Sequence, residues 1–225
     1  MIYIIMGVSG CGKSSLGAFL SEKVSESSPS LHIHTNTPSM HVHTHYLILT
    51  CMCVSIRQLG WPMHEGDNFH PQGNVEKMAR GEPLTDKDRL PWLLKLHDVI
   101  QRERCSGSNA FVACSALTRL YRQVLLYGSQ ALALSSSPDQ EILPPIAPDV
   151  FFVFLHGDYD LIYQRMTSRR GHYMKADLLR SQFDVLEPPL DEENVLSLDI
   201  RRSITDMAME VERHIISLKS SPVIP

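Results

Sequence analysis

The chain has no excess of positive charge: 21 Lys and Arg stand against 25 Asp and Glu, for a net charge of -4. That removes the global basic field on which binding to nucleic acid or to an anionic membrane draws. It has no disulfide framework either. Cys11, Cys51, Cys53, Cys105 and Cys114 are odd in number and irregularly spaced, as expected of reduced thiols in a reducing compartment. The apolar run from Tyr46 to Val54 falls well short of the roughly 20 residues that span a bilayer. No charged leader, cleavage site or transit segment precedes the strand-like run at Met1, which makes a cytoplasmic location the expectation. No Asn-Lys-x-Asp motif for guanine appears. At 225 residues, one α/β domain with insertions is expected, spanning 1–225, rather than two.

What the chain does have begins at once. Met1-Ile2-Tyr3-Ile4-Ile5-Met6 is a short apolar, β-branched run suited to a buried parallel strand. Gly7-Val8-Ser9-Gly10-Cys11-Gly12-Lys13-Ser14 follows in the form G-x-x-x-x-G-K-S, and the apolar-rich stretch from Ser15 to Leu20 continues as a helix. In that order a strand delivers a glycine-rich turn whose N–H groups wrap phosphate oxygens at the positive end of the next helix. Gly7 and Gly12 sit where a Cβ would obstruct the turn. The nucleotide-binding set is Gly7, Val8, Ser9, Gly10, Cys11, Gly12, Lys13, Ser14 and Ser15. Lys13 would reach the β- and γ-phosphates of ATP, and the Ser14 hydroxyl would ligate Mg²⁺. A chance glycine-rich turn is the plain alternative; the flanking strand and helix argue against it.

From Val24 to Gln58 the composition changes abruptly. His32, His34, His41, His43 and His45 fall here, behind a Ser/Pro/Thr-rich lead and ahead of the apolar run ending at Val54. The His-x-His and Cys-x-Cys spacings differ from the C-x₂₋₄-C and H-x₃₋₅-H of zinc sites. A poorly ordered insertion is therefore preferred to a metal site. The pairs His34-Thr35 and His43-Thr44-His45 are also what a CACACA repeat encodes, which suggests translated non-coding sequence. Transcript reads across the segment test that hypothesis, and their uniform inclusion would refute it.

Beyond the insertion, Leu59 to Pro71 brings acidic groups to the end of the expected second strand. Residues i and i+2 of a strand share a face, so Glu65 and Asp67 could both point at the phosphates and their acceptor. Carboxyl ends of strands are where ligands bind in open α/β sheets. Asp67 is the candidate general base for an attacking hydroxyl, and Glu65 the candidate outer-shell group for Mg²⁺. Gly-Asp-Asn is equally good turn chemistry, so the pattern leaves a plain turn open.

These blocks resemble the gluconokinase family of small P-loop kinases. The residues that carry the resemblance are Met6 to Ser14, then Gly66-Asp67-x-x-His70-Pro71-x-x-Asn74, then Lys77-Met78-x-x-Gly81-x-Pro83-Leu84-x-Asp86-x-Asp88-Arg89-x-Pro91-Trp92-Leu93. Cys114-Ser115-Ala116-Leu117-x-x-x-Tyr121-Arg122, Gly171-His172-x-Met174 and Gln182-Phe183-x-x-Leu186-Glu187 continue it. The family form runs straight from the first helix into Leu59-Gly60-Trp61, so 24–58 is an insertion relative to it. The resemblance implies a three-layer α/β fold like that of nucleoside monophosphate and shikimate kinases, with a five-stranded parallel sheet flanked by helices and a lid over 165–183. It also implies ATP-dependent phosphorylation of D-gluconate at the 6-hydroxyl, giving 6-phospho-D-gluconate for the pentose phosphate pathway. Substrate contacts are implied for Asp67, His70, Arg89, Ser115, Arg122, His172 and Gln182, and a homodimer is raised by the resemblance alone.

The remaining chain fits that frame. Pro71 to Arg80 should be a short helix, and Gly81 to Asp86 a break with an N-cap. Trp92, Leu93, Leu96, Val99 and Ile100 recur at helical spacing and read as core. Arg89 could hold a carboxylate or a phosphoryl group with its planar fork, or merely pair with Asp86 or Asp88. Ala110 to Cys114 is a strand, and Cys114 a packed thiol. Arg119 should be solvated and Arg122 substrate-facing. Leu126 to Asp149 reads as a surface loop.

Val150 to Leu155 should be a strand buried on both faces, and Leu161, Ile162 and Met166 the inner side of the next helix. Arg165 and Arg169, one turn apart, are candidate catalytic arginines for the charge of phosphoryl transfer. The alternative is a basic helix C-terminus complementing the helix dipole. Ala176 to Phe183 should be helical and Val195 to Asp199 the fifth strand, with Asp199, Ile200 and Arg201 weak candidates for adenine contact. Ser203 to Lys219 is an amphipathic closing helix, its apolar stripe core or a subunit contact. Kinases of shikimate or a nucleoside monophosphate, a nucleotide-binding switch, and a variant impaired by the insertion are the competing functions.

Overall fold

The computed structural model describes residues 1–22, 59–134, 147–168, 178–190, 192 and 194–220. The insertion at 24–58 with its histidine and cysteine pairs lies outside them, as do Arg169 and His172.

Five parallel strands form one sheet in the order β2-β3-β1-β4-β5. They are β1 (Ile2–Met6), β2 (Met63–Glu65), β3 (Ala110–Ala113), β4 (Val150–His156) and β5 (Val195–Asp199). β1 is central, with Ile4 opposite Val112 of β3 and Phe152 of β4. Every residue of β1 and β3 is buried, and β4 is buried up to His156. This is why the runs are continuously apolar, since the inner strands of a parallel sheet are covered on both faces. Each fully buried isoleucine of β1 contributes roughly 1.5–3 kcal/mol.

The flanking helices are α1 (Lys13–Ser21), α2 (Gln72–Ala79), α3 (Asp86–Cys105), α4 (Arg119–Tyr127), α5 (Gln130–Leu134), α6 (Tyr159–Ser168), α7 (Leu179–Val185) and α8 (Ile204–Ser220). α3 begins on a capping box: the Thr85 hydroxyl accepts from the Asp88 N–H, and the Asp88 carboxylate accepts from the Thr85 N–H. Its Trp92, Leu93, Leu96, Val99 and Ile100 are all buried, as their spacing predicts.

Two expectations are corrected. The span from Leu126 to Asp149 is not wholly loop, because α4 continues to Tyr127 and α5 occupies Gln130–Leu134 with Ala131 buried. Gln-Ala-Leu-Ala-Leu is rich in strong helix formers, and the Ser/Pro signals lie beyond it at residues outside the described set. The second correction concerns Asp67, which belongs to a 3₁₀ turn over Gly66–Phe69 and not to β2.

Among the described residues, no helix is long and apolar enough to cross a membrane. The carboxyl ends of β1, β2 and β3 lie together, and the order β3-β1-β4 makes β1 the switch point where ligands bind in such sheets.

Candidate active site

The turn after β1 is built on glycine for two different reasons. Gly7 has φ +135°, and a Cβ there would stand 2.6 Å from the carbonyl oxygen of Leu155. Gly12 has φ +105° but open space around it, so it is required by backbone conformation and not by crowding; the expected obstruction holds only at Gly7. Lys13 folds back over the loop, its Nζ donating to the carbonyls of Gly7 at 3.0 Å and Val8 at 2.9 Å. Val8 and Cys11 are buried behind the loop and Ser15 is exposed. The Ser14 hydroxyl donates to Oε2 of Glu65 at 3.0 Å, tying the start of α1 to the end of β2.

The turn bearing Asp67 is locked by packing. A Cβ on Gly66 would lie 2.2 Å from the carbonyl oxygen of Ala113, and the Gly66 carbonyl accepts from the Trp92 indole at 2.8 Å. β2 therefore stops at Glu65, and Asp67 reaches the site from the turn. His70 follows, stacked on Trp92 with ring centroids 4.1 Å apart. Burial pushes its pKa down to about 4, so the imidazole is neutral at pH 7.

Arg89 is free of the pairings expected as its alternative. Asp88 is taken by Lys77 at 2.6 Å and by the cap, and Asp86 accepts from the Tyr121 hydroxyl. The Arg89 guanidinium lies over the Tyr121 ring instead, 5.6 Å from its centre. Burial first, then the hydrogen bond with Asp86, pushes the Tyr121 phenol up to about 12.

One cleft joins these groups. Ser9, Gly10, Gly12, Lys13 and Ser14 of the loop line it, together with Glu65, Asp67, His70, Arg89 and Ser115. Gln182 also reaches it, through the phosphate loop: its Oε1 accepts from the Ser9 N–H at 2.7 Å and its Nε2 donates to the Ser9 hydroxyl at 3.1 Å. It clips that loop to α7. Cys114 is a packed thiol, as expected, with its pKa pushed up to about 12 by burial.

Two expected site arginines stand elsewhere. Arg122 is 2% exposed and does not line the cleft. Its guanidinium meets Glu192 at 2.7 Å and donates to the carbonyls of Ala116, Leu117 and Glu187, because a buried cation needs its donors satisfied. The Arg165 side chain donates to the carbonyl of Ile200 at 2.9 Å, in the turn after β5.

Sequence reasoning missed Glu192, Asn74 and Tyr121 as supports of the site. Asn74 and Tyr121 stand in the motif blocks, but nothing in the spacing tells a supporting residue from a contacting one.

No protein-family model matches the chain. It is 35% identical over 212 residues to a probable gluconokinase of Xenopus tropicalis, covering 94% of this chain and 92% of that protein. Over 200 residues it is 34% identical to the thermoresistant gluconokinase of Escherichia coli K12, covering 88% and 84%. Its fold matches the crystal structure of a gluconokinase from Sinorhizobium meliloti with a TM-score of 0.58 and 28% identity, covering 97% of each chain. With the phosphate loop, the acidic turn and the cleft between them, this identity over nearly the whole length means that the chain belongs to the gluconokinase family.

Proposed function

We infer that the protein transfers the γ-phosphoryl group of ATP to the 6-hydroxyl of D-gluconate, giving ADP and 6-phospho-D-gluconate. The observation that supports this best is one cleft lined both by the glycine-rich loop with Lys13 and Ser14 and by Asp67, His70, Arg89 and Ser115, in a chain of this family.

The chemistry asked of the residues is positioning and charge stabilisation. O6 of gluconate attacks the γ-phosphorus as the bond to the bridging oxygen breaks, and the hydroxyl proton passes to the Asp67 carboxylate. Lys13 leaves the carbonyls of Gly7 and Val8 for the β- and γ-phosphates. Arg89, with Asp86 and Asp88 otherwise engaged, offers its planar fork to the sugar-acid carboxylate. Ser115 supplies a hydroxyl at the end of β3. On the lid implied over 165–183, Arg169, and Arg165 once released from the Ile200 carbonyl, would neutralise the developing charge and exclude water.

Ser14 Oγ and Glu65 Oε2 fit Mg²⁺: they are hard oxygen donors 3.0 Å apart, and Mg²⁺ takes few protein ligands beside water and phosphate. No cluster of three His, Cys, Asp or Glu competes for a metal among the described residues. Bound there, Mg²⁺ would offset the negative charge of the β- and γ-phosphates.

The test is ATP turnover by the full chain against D-gluconate, shikimate and AMP, with the product identified by phosphorus NMR. Turnover on gluconate alone, with a 6-phosphate product, is expected. Turnover on another acceptor, or none on gluconate, rejects the assignment.

A further inference from the structure

A histidine in a sugar-binding cleft acts as donor or acceptor according to which nitrogen bears its proton. For His70 the neighbouring Asn74 decides this. Asn74 is 7% exposed; its Nδ2 lies 2.8 Å from the main-chain carbonyl of Asp88 and 3.4 Å from Nδ1 of His70. Turning the amide over would set Oδ1 against the Asp88 carbonyl oxygen, two acceptors with no proton between them. Nδ2 therefore faces both groups, and it can only donate. Nδ1 of His70 accepts, and the proton resides on Nε2. Trp92 stacks along the face of the ring and holds its plane, and is itself held by the Gly66 carbonyl.

We propose that Asn74 is a positioning residue that fixes His70 as the neutral Nε2–H tautomer, so that His70 donates a hydrogen bond to an oxygen of the sugar acid. The proposal rests on the gluconate reading. Among the described residues two charged groups face His70: Asp67 from the turn after β2 and Arg89 from α3. An imidazolium between them would pair with Asp67, lowering its basicity, and would repel Arg89. A neutral donor neither lowers the basicity of Asp67 nor repels Arg89. The burial that lowers the pKa of His70 works in the same direction.

The experiment is nitrogen-15 NMR of the imidazoles in the full chain near neutral pH, with the His70 signals assigned by their loss in His70→Gln. A protonated Nε2 beside an unprotonated Nδ1 is expected; a protonated Nδ1 or an imidazolium overturns the proposal. In kinetics, His70→Leu should raise the KM for gluconate about tenfold, the cost of a lost buried hydrogen bond, with the KM for ATP unchanged. His70→Gln, whose amide restores a donor, should recover most of that loss. Equal effects of the two variants, or none, also overturn it. The tautomer is read on the free protein, so absence of gluconate turnover by the wild type would reject the acceptor and be distinguishable from a wrong tautomer.

Discussion

Arg122 and Glu192 form an ion pair in which the arginine is 2% exposed and the contact 2.7 Å. The pair fastens the exit of β3, through the carbonyls of Ala116 and Leu117, to the segment following α7. Ala116 is held there at φ +44°, in the left-handed region that non-glycine residues seldom adopt. The structural role makes a definite prediction. Arg122→Met strands Glu192 and should cost about 3–5 kcal/mol of stability, read from urea unfolding. A variant of unchanged stability but impaired gluconate KM would instead make Arg122 a substrate contact.

Gly66 sets the position of Asp67. With the Ala113 carbonyl 2.2 Å from where a Cβ would stand, Gly66→Ala must push the turn away from β3. Overpacking of this kind costs about 1–3 kcal/mol, and a shift of the proposed base by about 1 Å costs on the order of 10²-fold in rate. A lower melting temperature and a fall in kcat are expected together, measured by thermal unfolding and steady-state kinetics. Wild-type values for both would show that the turn is not held against β3.

Much of this was legible in the sequence. The fifth strand, Val195–Asp199, and the apolar stripe of α3 follow directly from periodicity, because burial of one face or both imposes it. The phosphate loop was legible because its mechanism demands glycine, lysine and serine in a fixed order. Asp67 was half legible: its place at the site was foreseen, its strand geometry was not, since β2 ends where Gly66 meets Ala113 and Trp92, contacts made across the fold. The ion pair of Arg122 was not legible because Glu192 lies far along the chain, and no local pattern distinguishes an arginine that binds substrate from one that binds the fold.

The neutral state of His70 has a signature in stability. Its pKa falls from 6.5 to about 4 on folding, so between those values the unfolded chain binds a proton that the folded protein resists. Its stabilising share is complete above about pH 6.5 and is lost as pH falls toward about 4, with no further loss below. His70→Phe keeps a ring against Trp92 and removes the titration. The difference between wild-type and variant urea midpoints should therefore change across that window, His214 being common to both. A difference that stays constant would contradict the buried neutral state.

The central claim is that one cleft brings the acceptor hydroxyl to a general base beside the phosphate loop. It is tested most directly by kcat and both KM values of Asp67→Asn with ATP and D-gluconate. The account predicts a fall in kcat of about 10²–10⁴-fold, with both KM values close to those of the wild type, because the amide keeps the size of the side chain and loses its basicity. A kcat equal to that of the wild type would contradict it.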